Sequence, residues 1–393
     1  MTANAVINPI PPQPGRSTPP AAGVSATVRL VRESWALIEP QQEDVSQFFY
    51  GMLFSLAPGT RELFPINMQV QRSRIMRAIV HLVQMIDRPD ELMPFLRQLG
   101  RDHRKFGVVA SQYESVGTAL LSAIKRYSGS NWTPGVERAW AEAYTIMART
   151  MLEAAAADEG PAWWSAEVID HHRITWDLAT VRVQPDYPVP FQAGQYMSVT
   201  APQRDKLWRY LTPANAPRED GSLDFHIRAV ESGWVSRALV NHTNLGDVWR
   251  LGPPLGRLGV DRESGSDVLM VAGGTGISTM TSLIEDLAQY GENPRVHLFY
   301  GGRTEDDLFA LDDLRHLASI NPWLTVVPVL ENNPSSRNAE HGTLADIVTK
   351  YGSWADRDVL VAGSPAMIRS TVSRMLVAGT PLDRISYDPF TID

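Results

Sequence analysis

At 393 residues the chain is long enough for two or three separately cored domains. Its formal net charge of -8, with no long Lys/Arg run to offset it, argues against a nucleic-acid partner. The absence of cysteine excludes disulfides, thiolate zinc sites, cysteine-ligated iron–sulfur clusters and thiol nucleophiles together, and fits a reducing cytoplasm.

Residues 1–23, rich in Pro and Ala, lack a basic start and a sustained apolar stretch, so they read as a disordered tail rather than a signal peptide. No later apolar run reaches the roughly 18 residues that a membrane helix needs. From 24 to 157 the apolar spacing is helical and turn signals are few, which predicts an all-α domain. Residues 158–167, within "DEGPAWWSAE", read as a linker. From 168 to 262, short β-rich runs such as "ITWDLATVRV" and "GQYMSVTA" are broken by Pro, Gly and Asp, as in an antiparallel barrel or sandwich. From 263 to 393, strands such as "DVLMVA", "RVHLFY" and "DVLVAG" alternate with helices, the pattern of an α/β domain with a parallel sheet. A monomer is expected.

Leu92, Leu96, Leu99 and His103 follow the spacing i, i+4, i+7, i+11, so at about 100° per residue they share one helix face. A lone inward histidine is more often a satisfied core residue than a ligand. A second helix, starting near Val70, carries the stripe Gln71, Ile75, Ile79, Leu82 and Ile86, with His81 off the stripe and solvated. Tyr50, within "QFFYGMLF", and Phe64, closing "LAPGTRELFP", read singly as core filling.

Taken together, "FFYGMLFSLAPGTRELFP", the Gln71 helix, "DHRKFGVVASQYESVG" and "RAWAEAYTIMA" resemble the globin domain of flavohaemoglobins. The resemblance implies haem b, with His103 as the proximal iron ligand, Phe64 packed on the haem, and Tyr50, Gln71 and Ile75 lining the distal pocket. A neutral imidazole leaves the sixth iron position open for gas, and a phenol with an amide can donate hydrogen bonds there. Tyr113 matches the family's proximal tyrosine. Its usual glutamate partner maps to Ala155, and Glu153 lies about 200° away on the helix. Asp102 stands where a basic residue usually precedes the histidine.

In the middle third, "PFQAGQYMSV", "WRYLTPANAP", "DFHIRAV", "ESGWVSRAL" and "LGPPLGRLGV" occur in the order found in ferredoxin-reductase-like FAD domains. That resemblance implies FAD contacts at Tyr196 and across Arg209, Tyr210, Leu211 and Thr212. Arg209 faces the pyrophosphate, Leu211 covers the flavin where the family stacks a tyrosine, and the Thr212 hydroxyl bonds the flavin edge. Gly233, Trp234, Val235 and Ser236 resemble the helix start that presents N–H groups to the pyrophosphate.

The stretch "DVLMVAGGTGISTMTSLIEDL" is a strand, a glycine-rich turn and a helix. Without side chains, Gly273, Gly274 and Gly276 let the backbone approach a pyrophosphate, with Thr275, Ile277 and Ser278 completing the turn and helix start. The set including "LFYGGRTEDDLF", "VLVAGSPAMI" and "ISYDPF" resembles the reductase NAD(P) domain. Arg303 is the candidate for a 2′-phosphate, which leaves NADH against NADPH open. Ala362, Gly363, Ser364 and Pro365 stand where the family has Cys-Gly-Pro, and Asp388 and Phe390 lie where it places an acid and an aromatic beside the flavin.

The implied activity is electron transfer from NAD(P)H through FAD to haem, with O2 and nitric oxide as small ligands and nitrate as product. The departures at Leu211, Ala362 and Ala155 resemble a divergent branch. They keep two alternatives in view: a haem–flavin oxidoreductase fed by another donor such as D-lactate or a quinol, and a gas-binding sensor with an impaired reductase.

Overall fold

The computed structural model describes residues 25–230, 233–332 and 338–388. The expected tail and Phe390 lie outside the described residues. The helical part comprises α1 (Ala26–Ile38), α2 (Gln42–Leu56), α3 (Gln69–Met85), α4 (Pro89–His103), α5 (Ala110–Ser128) and α6 (Pro134–Ala156). Trp35, Phe49, Leu53, Met76, Ile124 and Trp140 close its main core, and the indole N–H of buried Trp140 donates to Ser34 Oγ at 2.8 Å. Helix α4 opens with Pro89, whose missing N–H costs nothing in a first turn, and with Asp90 and Glu91 against the positive end of the helix dipole. It closes through a 3-10 turn onto Gly107, whose φ of 69° is left-handed. Gly100 lets α4 and α6 touch, because a Cβ there would lie 2.2 Å from the Met151 carbonyl oxygen.

Six antiparallel strands follow: β1 (Trp164–Arg173), β2 (Leu178–Pro185), β3 (Tyr196–Thr200), β4 (Arg209–Leu211), β5 (Leu223–Arg228) and, after α7 (Trp234–Asn241), β6 (Val248–Leu255). Their order is β4-β3-β6-β1-β2-β5, and a bridge between Pro213 and Phe225 brings the two edges together, so the sheet is a nearly closed barrel. Strand β1 starts inside the stretch expected to be linker, because Trp164–Glu167 already pair with β6. The indole of Trp164 is buried in the barrel core, a use that composition alone does not reveal.

The last part is a parallel sheet of β7 (Val268–Gly273), β8 (Val296–Gly302), β9 (Leu324–Leu330), β10 (Glu340–His341), β11 (Asp358–Ala362) and β12 (Ile385–Tyr387). The strands are ordered β10-β9-β8-β7-β11-β12, with α8 (Ile277–Leu287), α9 (Leu311–Ile320), α10 (Leu344–Lys350) and α11 (Pro365–Val377) as crossovers and cover. The strand order reverses between β8 and β11, on either side of β7. A crevice therefore opens at the carboxyl end of β7, where such sheets bind ligands. Among the described residues no helix is long and apolar enough to cross a membrane.

Candidate functional site: a buried cavity, a flavin-type barrel face and a glycine turn

The helical part encloses a cavity of about 450 Å³, a size common for small-molecule and cofactor sites. Both stripes read from the sequence line it: Gln71, Ile75, Ile79 and Leu82 from α3 with Ile86 just past its end, and Leu92, Leu96, Leu99 and His103 from α4. Tyr50, Phe64 and Tyr113 open onto the same space. His103 Nδ1–H donates to the Leu99 carbonyl at 2.8 Å, which leaves the Nε2 lone pair for another partner. Burial holds this imidazole below its ordinary pKa, the Leu99 bond opposing only in part, so the neutral form is favoured. Tyr50 donates weakly to the Gln71 backbone carbonyl at 3.5 Å and meets the Phe64 ring edge-on. Burial pushes its phenol far up, so it stays a protonated donor. Gln71 Oε1 is buried without a hydrogen-bond partner. Glu153 is solvent-exposed beside Arg149, and Ala155 carries no carboxylate. His81, expected in solvent, instead packs edge-on against Phe95 with its Nε2 buried.

Asp102 and Lys105, which flank His103 and look like surface residues, are both buried. Lys105 Nζ donates to Asp102 Oδ1 at 2.6 Å and to Ser198 Oγ of β3 at 3.0 Å. Residues i and i+3 meet on a helix, so the pair itself was legible, but its burial was not, because the covering surface comes from the barrel.

On β4 the register places Tyr210 opposite Ser198 and Leu211 opposite Met197. Leu211 is half-buried and packs against the barrel core from the same strand face as Arg209, and Tyr210 takes the other face, edge-on to Tyr196 at 5.2 Å. Strand alternation sets these sides. Arg209 Nη1 donates to the Trp208 carbonyl, while Nη2 is buried without a hydrogen-bond partner. Burial, with the nearby Arg74 guanidinium, pulls Arg209 down to about 9, which marks a cation lacking an anion. The Thr212 side chain is half-buried beside it. Asp388 is buried next to Tyr196 and Gly256, and burial raises its carboxyl to about 7.

Gly233 precedes α7 with Trp234 exposed, while Val235 is fully buried in the barrel core and Ser236 Oγ accepts from the Val230 N–H. In the last domain, Gly273 ends β7 and Gly274–Gly276 turn into α8, with Gly274 at φ 56°. A Cβ on Gly276 would lie 2.4 Å from the Ala362 carbonyl oxygen, so only glycine lets the turn sit against β11. Thr275 is half-buried at this turn, but the Ile277 side chain belongs to the core and Ser278 Oγ is hydrogen-bonded to His226 Nδ1 at 3.0 Å. The Ile277 and Ser278 side chains serve packing and the seam with the barrel. Ser364 caps α11, and Arg303 is exposed, its N–H bonded to Asp307.

Three family models match in chain order: Globin over residues 47–151, Oxidoreductase FAD-binding domain over 165–259 and Oxidoreductase NAD-binding domain over 270–373. The class is thus a globin joined to a flavin- and nicotinamide-binding oxidoreductase. The flavohemoprotein of Bacillus subtilis (strain 168) is 23% identical over 386 residues, covering 93% of this chain and 96% of that one. The reductase component DmpP of phenol 2-monooxygenase from Pseudomonas sp. (strain CF600) is 28% identical over 200 residues, 50% of this chain and 56% of its own. The crystal structure of flavohemoglobin from Malassezia yamatoensis with bound FAD and heme has the same fold, with a TM-score of 0.77 at 18% identity over 93% of this chain and 98% of that one. This protein is a flavohaemoglobin-like oxidoreductase in domain content and order.

Proposed function

We propose that the chain takes electrons from NAD(P)H, passes them through FAD to haem, and uses them to oxidise nitric oxide to nitrate with dioxygen. The observation that carries this reading is a single cavity shared by the free Nε2 of His103 and the Tyr50–Gln71 pair. The residues present fit the three groups. A neutral buried imidazole in an apolar pocket suits a haem iron, with Phe64 and Ile75 as packing. Arg209, a buried cation with an unsatisfied Nη2, suits the FAD pyrophosphate. The Gly273–Gly276 turn, at the point where the strand order reverses, suits the nicotinamide dinucleotide.

When bound, haem supplies a gas-binding one-electron iron, and FAD converts the hydride of the nicotinamide into single electrons. The chain's own contribution is to place and shield. His103 holds its ring through the Leu99 carbonyl, which fixes the tautomer that presents Nε2. Tyr50 keeps its proton and can turn it from the long bond to Gln71 toward a ligand in the cavity. The apolar stripes of α3 and α4 exclude water, which strengthens each hydrogen bond made there.

The test uses protein loaded with haem and FAD, mixed with NADH, oxygen and nitric oxide, with nitrate quantified. Rapid consumption with nitrate as product is expected, and Tyr50→Phe should slow it by about 10–100-fold, the worth of one charge-assisted hydrogen bond. A loaded protein whose haem is reduced by NADH, yet which consumes nitric oxide no faster than its Tyr50→Phe variant, would overturn the reading.

The outward Glu153 and the absent carboxylate at Ala155 favour a second reading, in which proximal polarisation is weak and nitric oxide turnover is slow. Electrons would then come from another donor such as D-lactate or a quinol. Anaerobic mixing with D-lactate, followed by flavin and haem absorbance, separates the two.

A further inference from the structure

One buried lysine joins the helical domain to the barrel. Lys105 follows α4 by two residues, and its side chain is 1% exposed, with its partner Asp102 at 5%. Its ammonium crosses from the helical domain into a socket of the barrel. Ser198 Oγ on β3 accepts a hydrogen bond at 3.0 Å, and the rings of Trp208 and Tyr210 lie 5.3 and 5.7 Å away. Phe106, from the helical side, is 5.1 Å away and meets Trp208 edge-on. Gly252 on β6 makes the room: a Cβ there would stand 2.2 Å from Ser198 Oγ and 3.6 Å from Lys105 Cδ.

A buried ion pair is poor value as plain stabilisation, since desolvation cancels most of its attraction. The pair lies wholly on the helical side, so a slipped interface keeps the pair but takes from the buried ammonium its Ser198 acceptor and its barrel rings, and that loss discriminates one docking from another. The partners here are split so that this penalty is sharp. Asp102 sits immediately before His103, while Ser198 and Tyr210 are directly opposite each other on the barrel face beside Tyr196. Apolar neighbours alone would tolerate sliding; the ammonium has three specific contacts that sliding breaks.

We propose that Lys105, clamped by Asp102 and seated in the Ser198–Trp208–Tyr210–Gly252 socket, is the positioning residue that registers the helical domain on the flavin barrel. The docking claim stands on the geometry alone, and its consequence for electron flow rests on the function proposed above. Arg104, which pairs with Asp158 at 3.0 Å, ties the helical domain to the connecting segment rather than to the barrel face.

The test compares the parent with Lys105→Met, Lys105→Arg and Ser198→Ala as full chains loaded with haem and FAD. Hydrogen–deuterium exchange reads docking; anaerobic mixing with NADH reads flavin reduction and haem reduction separately. In Lys105→Met, exchange in peptides covering 104–107 and 196–200 should rise by about tenfold, while the core of α5 stays protected. Flavin reduction should remain within about threefold of the parent, whereas haem reduction should slow by about tenfold or more, as expected of a misplaced donor and acceptor. Lys105→Arg keeps the charge and should restore most of both, and Ser198→Ala should show a smaller shift of the same kind. If Lys105→Met fails to fold, Ser198→Ala and Lys105→Arg decide. Loaded variants with unchanged exchange and unchanged haem reduction would overturn the proposal. Altered exchange in a parent whose haem NADH never reduces would sink the functional reading and leave the docking role intact.

Discussion

Gly100 is where the helix that carries His103 crosses α6, and Gly100→Ala tests how tightly that helix is held. A Cβ at this position would lie 2.2 Å from the Met151 carbonyl oxygen and 2.7 Å from its Cα. Ordinary contact begins near 3.4 Å, so the helices must part locally by about 1 Å. The atoms in the way are backbone, so no side-chain rotation relieves them. Overpacking of this kind costs about 1–3 kcal/mol, against a gain of about 0.5–1 kcal/mol from replacing glycine in a helix interior. The balance is a loss on the order of 1–2 kcal/mol, or a fall of about 3–8 °C in the melting temperature of a domain this size. Gly51 supplies the matched control: it is exposed on α2 with nothing within 4 Å of a built Cβ. Gly51→Ala should therefore stabilise by about 0.5–1 kcal/mol with the same change of chemistry. Thermal unfolding followed by far-ultraviolet circular dichroism and by haem absorbance measures both. A Gly100→Ala protein melting at or above the parent would refute the reasoning.

Arg209→Gln should weaken FAD retention by about 10–100-fold, since it removes a charge-assisted contact to an anion; equilibrium dialysis of the flavin checks it, and unchanged retention would contradict the assignment. Gly276→Ala drives a methyl into the Ala362 carbonyl at 2.4 Å, so NADH-dependent flavin reduction should collapse while photochemical reduction of bound FAD persists. His226 is buried at the seam with α8, and burial lowers its pKa from 6.5 to about 4. Its neutral form therefore contributes stability above pH 6.5 that is lost as pH falls toward 4, up to about 3 kcal/mol. Urea unfolding at pH 7 and pH 5 should show that slope, and His226→Gln should flatten it; an equal slope in the variant would count against the assignment.

The glycine turn, the two helical stripes and the order of three domain types could all be read from the chain. Each is a local or periodic pattern: glycines where backbone must approach backbone, apolar residues every three or four positions, strands alternating with helices. The inward faces of His103 and Gln71 follow from helical spacing, whereas Tyr50 reads singly as core filling and enters the site only through the resemblance. The docking of one domain on another had no such signature. Asp102 and Lys105 look like surface charges because their cover, Ser198, Trp208, Tyr210 and the notch at Gly252, lies about 90 to 150 residues onward. The side that Leu211 takes is set by register with Met197, and the Ile277 side chain turns into the sheet core; neither follows from a local pattern. Periodicity is a property of a segment and can be counted in one; burial at a seam is a property of two surfaces, and it exists only once both have folded and met.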